Sequence, residues 1–186
     1  MAEDRRDVIE VLKHDHREVE EMFDELTAES DARQRRRILD DVTIELVRHS
    51  VAEEMYLYPW VRRYVPGGEQ IAEKEIGEHA EVERLLKDLE SADTAGGAFA
   101  AMVRRLIDDV AAHIEHEETT LFPALAEQAG ADELYTLGDQ VQAAKKTAPT
   151  RPHPAAPQTP PLNKLLAPGT GLVDRVRDHL SGRGGH

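Results

Sequence analysis

The chain has 186 residues, a formal charge of −14 and no cysteine. That length holds one domain with appendages. The charge argues against non-specific nucleic-acid binding and against polybasic attachment to anionic membranes. The missing cysteines exclude disulfides, thiolate zinc sites, iron–sulfur clusters and cysteine nucleophiles.

Aromatic residues make up 4% of the chain and hydrophobic residues 40%. That balance favours helices packed through Leu, Val, Ile and Ala over a β-sandwich. The N-terminal MAEDRRDVIEVL lacks the apolar core of a secretory signal. No apolar run approaches the roughly 18 residues that span a bilayer. A soluble, cytoplasmic protein is the expected setting.

In chain order, a first helix is predicted from about Arg5 to Glu29, with Val8, Leu12, Val19, Met22, Phe23 and Leu26 on its apolar stripe. Ser30-Asp31 ends it and caps a second helix over about 32–64. Pro66-Gly67-Gly68 breaks the chain. A third helix spans about Glu69 to Ser91, and Asp93–Gly97 is a linker. A fourth runs from about Ala98 to Gln128. Gly130 stops it, and Asp132 caps a short fifth helix ending near Lys145. Pro59 and Pro123 fall inside helical runs and should kink or locally end them.

Residues 147–161 hold six prolines and read as an extended linker. Beyond it, Leu172, Val173, Val176 and Leu180 outline one short amphipathic helix, and the terminal SGRGGH reads as disordered. The predicted organisation is an all-α, up-down-up-down four-helix bundle over residues 1–146, built from two similar helix pairs. Residues 147–186 form the tail, whose plain reading is a solvated appendage and whose alternative is a docking segment for a protein partner.

One pattern occurs twice. The first pair of blocks reads HREVEEMFDEL from His16 and HAEVERLLKDL from His79. The second pair reads HSVAEEMYLYPWV from His49 and HIEHEETTLFPAL from His113. In that second pair, Glu follows at +4 (Glu53, Glu117) and again at +5 (Glu54, Glu118). An aromatic follows at +9 (Tyr58, Phe122), and Pro at +10. Residues four apart share a helix face, so His49 with Glu53, and His113 with Glu117, point to one region. His16 and His79 each add an imidazole from a neighbouring helix.

Four imidazoles and two carboxylates suit two metals with a pseudo-twofold relation, two imidazoles to each and Glu53 and Glu117 bridging. Nitrogen and oxygen ligands with open positions favour iron, and less so manganese, over a closed zinc site. The ligand charge of −2 against two ferrous ions leaves room for an oxo or hydroxo bridge. A lone HxxxE is usually a solvated i,i+4 pair; its duplication with matched flanks is what points to metal. Glu45, Glu75 and Asp109, one turn before His49, His79 and His113, and Asp15 and Glu78, immediately before His16 and His79, are candidates to orient the imidazoles. His116 reads as a supporting or surface group and His14 as exposed. Tyr56 or Tyr58 could reach the pocket as a hydrogen-bond donor or redox-active phenol.

The blocks DHREVEEMF, HSVAEEMYLYP, EHAEVERLL and HIEHEETTLFP resemble hemerythrin-like, or HHE cation-binding, domains of the bacterial type, over roughly residues 7–127. The resemblance implies a non-haem di-iron centre that binds or reacts with dioxygen, hydrogen peroxide or nitric oxide, including catalase-like peroxide breakdown. His16, His49, Glu53, His79, His113 and Glu117 match its ligand positions. Two positions depart from the invertebrate oxygen carriers: Glu83 stands where they have a histidine, and Glu117 replaces an aspartate at longer spacing. Glu83 is therefore a seventh candidate ligand, with Glu20 as its repeat equivalent. An oxygen donor there would favour ferric iron over reversible oxygen carriage. The alternative function is an iron- or oxygen-responsive module signalling through the tail. Ferritin-like storage is disfavoured because no histidine has Glu three residues before it, and iron-cluster repair because the cysteine-bearing segment is missing.

Overall fold

The computed structural model describes residues 5–156, 162–181 and 183. Every regular element among them is helical. Helix α1 (Val8–Ala28) begins three residues later than the sequence pattern predicts, because Asp7 and Glu10 form a reciprocal cap. The Asp7 carboxylate accepts from the Glu10 N–H at 2.9 Å, and the Glu10 carboxylate from the Asp7 N–H at 3.1 Å. Asp31 caps α2 (Ala32–Ala52) by accepting from the N–H groups of Arg33 and Gln34.

The two long helical runs are interrupted near their prolines, where regular α-helix ends locally. Each contains one wide π turn just upstream. The first spans Glu53–Leu57 and leads into α3 (Tyr58–Tyr64); the second spans Glu117–Leu121 and leads into α6 (Phe122–Gln128). Pro59 and Pro123 lack an N–H, and their rings would press on the carbonyl four residues back. The wider turn closes instead with Tyr58 N–H to Glu53 O, and Phe122 N–H to Glu117 O. Both turns start at a glutamate singled out as a bridging ligand.

Helix α4 (Gly68–Ser91) follows a turn in which Gly67 takes φ 72°, a left-handed conformation that favours glycine. Helix α5 (Gly97–His116) completes the four long runs. They alternate in direction, and their apolar side chains segregate into two layers. One holds the start of α1, the α3 and α6 segments, and the start of α4, with Leu12, Leu57, Val61 and Leu125 at its centre. The other holds the end of α1, the starts of α2 and α5, and the end of α4, with Phe23, Leu39, Leu86, Phe99 and Leu106. The histidine-bearing segments lie between these two layers.

Helix α7 (Ala131–Thr147) packs on α1 and α2. Its cap differs from the predicted one: the Glu133 carboxylate accepts from the Gly130 N–H at 3.0 Å, and Asp132 sits in the first turn. Where α7 crosses the start of α1, a Cβ on Gly138 would stand 2.5 Å from the Arg6 carbonyl oxygen.

Helix α8 (Leu162–Ser181) is 20 residues long, longer than the short amphipathic helix expected, and its apolar residues face away from the bundle. Leu172, Val173 and Val176 face outward at 60%, 59% and 54% exposure, while Asp174 and Asp178 are buried. The reason is electrostatic and steric. Asp174 accepts from the backbone N–H groups of Thr150 and Arg151 and pairs with His153 at 2.8 Å. Asp178 takes Arg151 at 2.7 Å. A Cβ on Gly171 would meet Thr147 O at 2.2 Å, so only the small side of the helix fits against the bundle. The Leu180 side chain, residues 157–161 of the proline-rich stretch, and residues 182 and 184–186 of the terminal SGRGGH lie outside the described residues. No helix among the described residues is long and apolar enough to cross a membrane.

Substituting Gly138→Ala should cost about 1–3 kcal/mol, because the intruding methyl meets backbone that cannot give way. A lowered urea midpoint with unchanged helical circular dichroism is the expected outcome; an unmoved midpoint would show that α7 is not seated through this contact.

Candidate metal centre

The polar layer between the two apolar layers collects six of the seven candidate ligands. His16, His49, Glu53, His79, His113 and Glu117 are all buried, and the two glutamates show no exposure at all. Their inward atoms converge. Glu53 Oε2 lies 3.2 Å from His49 Nε2 and 3.4 Å from His79 Nε2. Glu117 Oε2 lies 3.2 Å from His16 Nε2 and 3.6 Å from His113 Nε2. The rings form two neighbouring pairs: His16 with His49, centroids 5.1 Å apart, and His79 with His113, 4.8 Å apart. Each glutamate therefore touches one imidazole of either pair. Donor atoms of His49, Glu53, His113 and Glu117 all fall within 4.8 Å of one another.

The outward Nδ1 atoms are held by a second ring of carboxylates that interlocks the helices. Asp15 of α1 takes His49 of α2 at 3.2 Å, and Glu78 of α4 takes His113 of α5 at 3.1 Å. Glu54 takes His79 at 3.1 Å, and Glu118 takes His16 at 2.9 Å, each reaching from one repeat to the other. Asp15 and Glu78 thus serve the next helix of their own pair rather than the histidine beside them. Glu75 fits the predicted orienting role but for a different ring: it meets His113 Nδ1 at 2.7 Å and His116 Nδ1 at 2.5 Å, and not His79. Glu45 binds Lys145 and Asp109 binds Arg105, away from the imidazoles. Glu54 and Glu118 are the residues that sequence reasoning passed over. Their signal was present as the second glutamate, at +5 in both repeats.

The π turn explains the position of Tyr58. Its ring closes over five residues rather than four, which brings the residue after the turn back over Glu53. The buried phenol lies 3.2 Å from each of Glu53 Oε2, Glu117 Oε1 and His79 Nε2. Burial, then the Glu117 and Glu53 charges, push its pKa well above the ordinary value, so it is a protonated donor. Its repeat equivalent, Phe122, instead stacks on His16 at 5.8 Å and 9°. Tyr56 lies only partly buried, against the apolar layer beside α3.

Glu83 does not join the six. Its Oε1 accepts from the backbone N–H of His153 at 2.7 Å, and it lines a cavity of about 40 Å³ between α2 and α4 together with His79, Glu54 and His153. Glu20 is paired with Arg17 at the surface, and His14 is exposed beside Glu18.

Burial works against these charges; pairing overrides it at Asp15, His16, His79, His113 and Glu117, whereas at Glu54 burial wins and raises the carboxyl's pKa. Burial alone would lower the pKa of His79, but the carboxylates of Glu53 and Glu54 raise it to about 9. His16 and His113 are raised for the same reason. The hydrogen bond to His113 lowers Glu78 to about 2. Glu117 falls below the ordinary carboxylate range despite its burial, chiefly through His113 and His16.

The donor set fits a pair of cations. His16 Nε2, Glu53 Oε1 and Glu117 Oε2 are sealed from solvent and have no hydrogen-bond partner, a costly arrangement unless something else satisfies them. The inner atoms are nitrogens and carboxylate oxygens, and the outer carboxylates orient the rings as metal-bound imidazoles require.

Comparison with known proteins agrees with this geometry. The hemerythrin HHE cation-binding domain model matches residues 7–125. An uncharacterized hemerythrin-like protein of Schizosaccharomyces pombe is 27% identical over 174 residues, covering 93% of this chain and 86% of the relative. A DNA nickase of Nostoc is 30% identical over 136 residues; the match covers 73% of this chain but 38% of the nickase. The crystal structure of a hemerythrin HHE cation-binding domain-containing protein from Mycobacterium kansasii superposes with a TM-score of 0.67 at 22% identity, covering 76% of this chain and 86% of that one. It supports the fold.

The raised imidazoles give the protein, once stripped of metal by chelation, a definite pH dependence. Their folded pKa values lie above the ordinary 6.5, so their stabilisation is full below about pH 6.5 and lost as pH rises through the folded values, about 9 for His79. The loss should be on the order of a few kcal/mol. Metal uptake should strengthen over the same window, because ligating imidazoles must shed their protons. A urea midpoint that stays flat from pH 6.5 to 9 would contradict the buried pairing.

Proposed function

The chain belongs to the hemerythrin HHE cation-binding family, and on that premise we propose that it is a non-haem di-iron protein that binds or reacts with dioxygen, hydrogen peroxide or nitric oxide. The observation that carries the reading is the convergence of six sealed donor groups, with each glutamate set between the two histidine pairs. In this reading His16 and His49 would hold one iron and His79 and His113 the other, with Glu53 and Glu117 shared between them, and the ligand charge of −2 would partly offset the two cations. Iron fits the mixed nitrogen and oxygen donors better than a closed structural zinc would; manganese is the less favoured alternative. When bound, the iron pair supplies open coordination and electrons for a diatomic or peroxide ligand.

The protein's own groups then do three things. The outer carboxylates fix the imidazole rings. The apolar layers exclude bulk water. The Tyr58 hydroxyl, beside both bridging glutamates, offers a proton or hydrogen bond to a small molecule seated there. Peroxide breakdown is the favoured turnover. A cytoplasmic setting accords with this chemistry. The nicking activity of the Nostoc relative does not extend to this chain in our reading: the match spans 38% of that protein, and a charge of −14 repels nucleic-acid phosphates.

One observation favours the second reading, a module reporting iron or oxygen through its tail to a protein partner. The tail touches the site's flank: the His153 N–H is held by Glu83, across the cavity that His79 lines. In that case iron loading should alter amide hydrogen exchange in residues 149–156, and Glu83→Ala should abolish the change.

Protein produced in iron-replete medium should contain two irons per chain and show oxo-to-iron charge-transfer absorption that responds to peroxide, with oxygen released if it turns over. Glu53→Ala or Glu117→Ala should sharply reduce iron loading. Two irons retained in both variants would defeat the bridging assignment, and a chain without stoichiometric metal would defeat the di-iron reading itself.

A further inference from the structure

The carboxylates behind the imidazoles are not equivalent, because different groups stand behind them; Glu75, for one, also meets His116 and has the exposed Lys74 at 3.7 Å. Glu118 is held by Arg17 and Glu78 by Lys74, the latter at 2.7 Å, but those two cations are 51% and 43% exposed. Glu54 has the acidic Glu83 as its charged neighbour beyond His79 and Glu53. Asp15 alone meets a largely buried cation. Lys145 Nζ lies 2.6 Å from Asp15 Oδ1, and the other oxygen of the same carboxylate holds His49 Nδ1 at 3.2 Å. A second carboxylate, Glu45, shares the ammonium at 2.5 Å. Lys145 belongs to α7, beyond the residues 7–125 that the family model covers.

We propose that Lys145 is a positioning residue for the metal centre, acting on His49 through Asp15. This rests on the di-iron reading above. The argument is electrostatic. A carboxylate that is not neutralised pulls hard on the Nδ1 proton of its imidazole, makes the ring a stronger donor and favours ferric iron. An ammonium on the far oxygen draws that charge away, so the ring donates less and ferrous iron is better tolerated. At the exposed Arg17 and Lys74 water screens the effect; at Lys145, whose side chain is 17% exposed against 5% for Asp15, screening is much weaker. The lysine is also held in place, since α7 is seated on α1 by the close approach at Gly138. Through this link the fifth helix of the bundle helps set the redox balance of a site to which it contributes no ligand.

The test uses the full-length, iron-loaded protein and reads iron per chain and the midpoint potential by spectroelectrochemistry. Lys145→Met should keep two irons and shift the ferric-to-ferrous ratio at fixed potential about tenfold toward ferric, a fall of about 59 mV for a one-electron step. Lys145→Arg should restore most of the wild-type value. Lys74→Met should move it several-fold less. Glu45→Gln leaves Lys145 to Asp15 alone and should shift the potential upward. A wild-type potential in Lys145→Met overturns the proposal, as does an equal shift in Lys74→Met. If Lys145→Met fails to fold, the Glu45→Gln variant decides: an unmoved or lowered potential overturns the proposal. Loaded wild type with unmoved variants ends this inference alone, whereas wild type that takes up no iron ends the di-iron reading and this inference with it.

Discussion

Everything in this protein is arranged around six imidazole and carboxylate side chains sealed inside a helical bundle. Imidazoles and carboxylates are expensive to bury, and the cost is met only if each polar atom has a partner. Outward-facing nitrogens have one, in the carboxylates of Asp15, Glu54, Glu75, Glu78 and Glu118. Inward-facing atoms have, in part, only one another. The apolar layers on either side hold the groups at one depth and keep water from relieving the strain among them. A bundle built this way is incomplete as a purely hydrophobic object. The same feature that weakens it as a plain scaffold suits it to metal binding.

Duplication gives the receptacle its symmetry, and a few substitutions break it. Both halves use a proline to force a π turn at the glutamate between the histidine pairs. On one side that turn delivers a phenol, Tyr58, to the centre. On the other it delivers Phe122, which can only stack. The surrounding charges differ as well: a buried lysine stands behind His49, and an acidic pair stands near His79. The two histidine pairs are alike in their inward donors and unlike in their surroundings.

Much of this was legible in the sequence. The duplicated histidine–glutamate spacing predicted a bundle with two similar helix pairs, and the structure brings together the six side chains that shared matched positions. What α-helical geometry could not give was the effect of Pro59 and Pro123. They read as kinks or local ends, and regular α-helix does end before each; the π turn that takes its place changes the face on which Tyr58 lies. Contacts between helices were equally hidden. Asp15 and Glu78 serve histidines on the neighbouring helix, and Glu54 and Glu118 reach across the repeats, and no spacing along one helix encodes such pairs. The tail was hard to read for a third reason: its apolar residues outlined an amphipathic helix but not the face it packs on. Asp174 and Asp178 found partners in residues 150–153, and that pairing turned the apolar side outward.

The central claim is that two irons sit in this layer, each on one histidine pair, with Glu53 and Glu117 between them. Anomalous diffraction at the iron absorption edge, on crystals of the iron-loaded protein, tests it most directly. The account predicts two peaks inside the bundle, one beside His16 and His49 and one beside His79 and His113, both in contact with the two glutamates. A single peak, or iron bound only outside these six side chains, would contradict it.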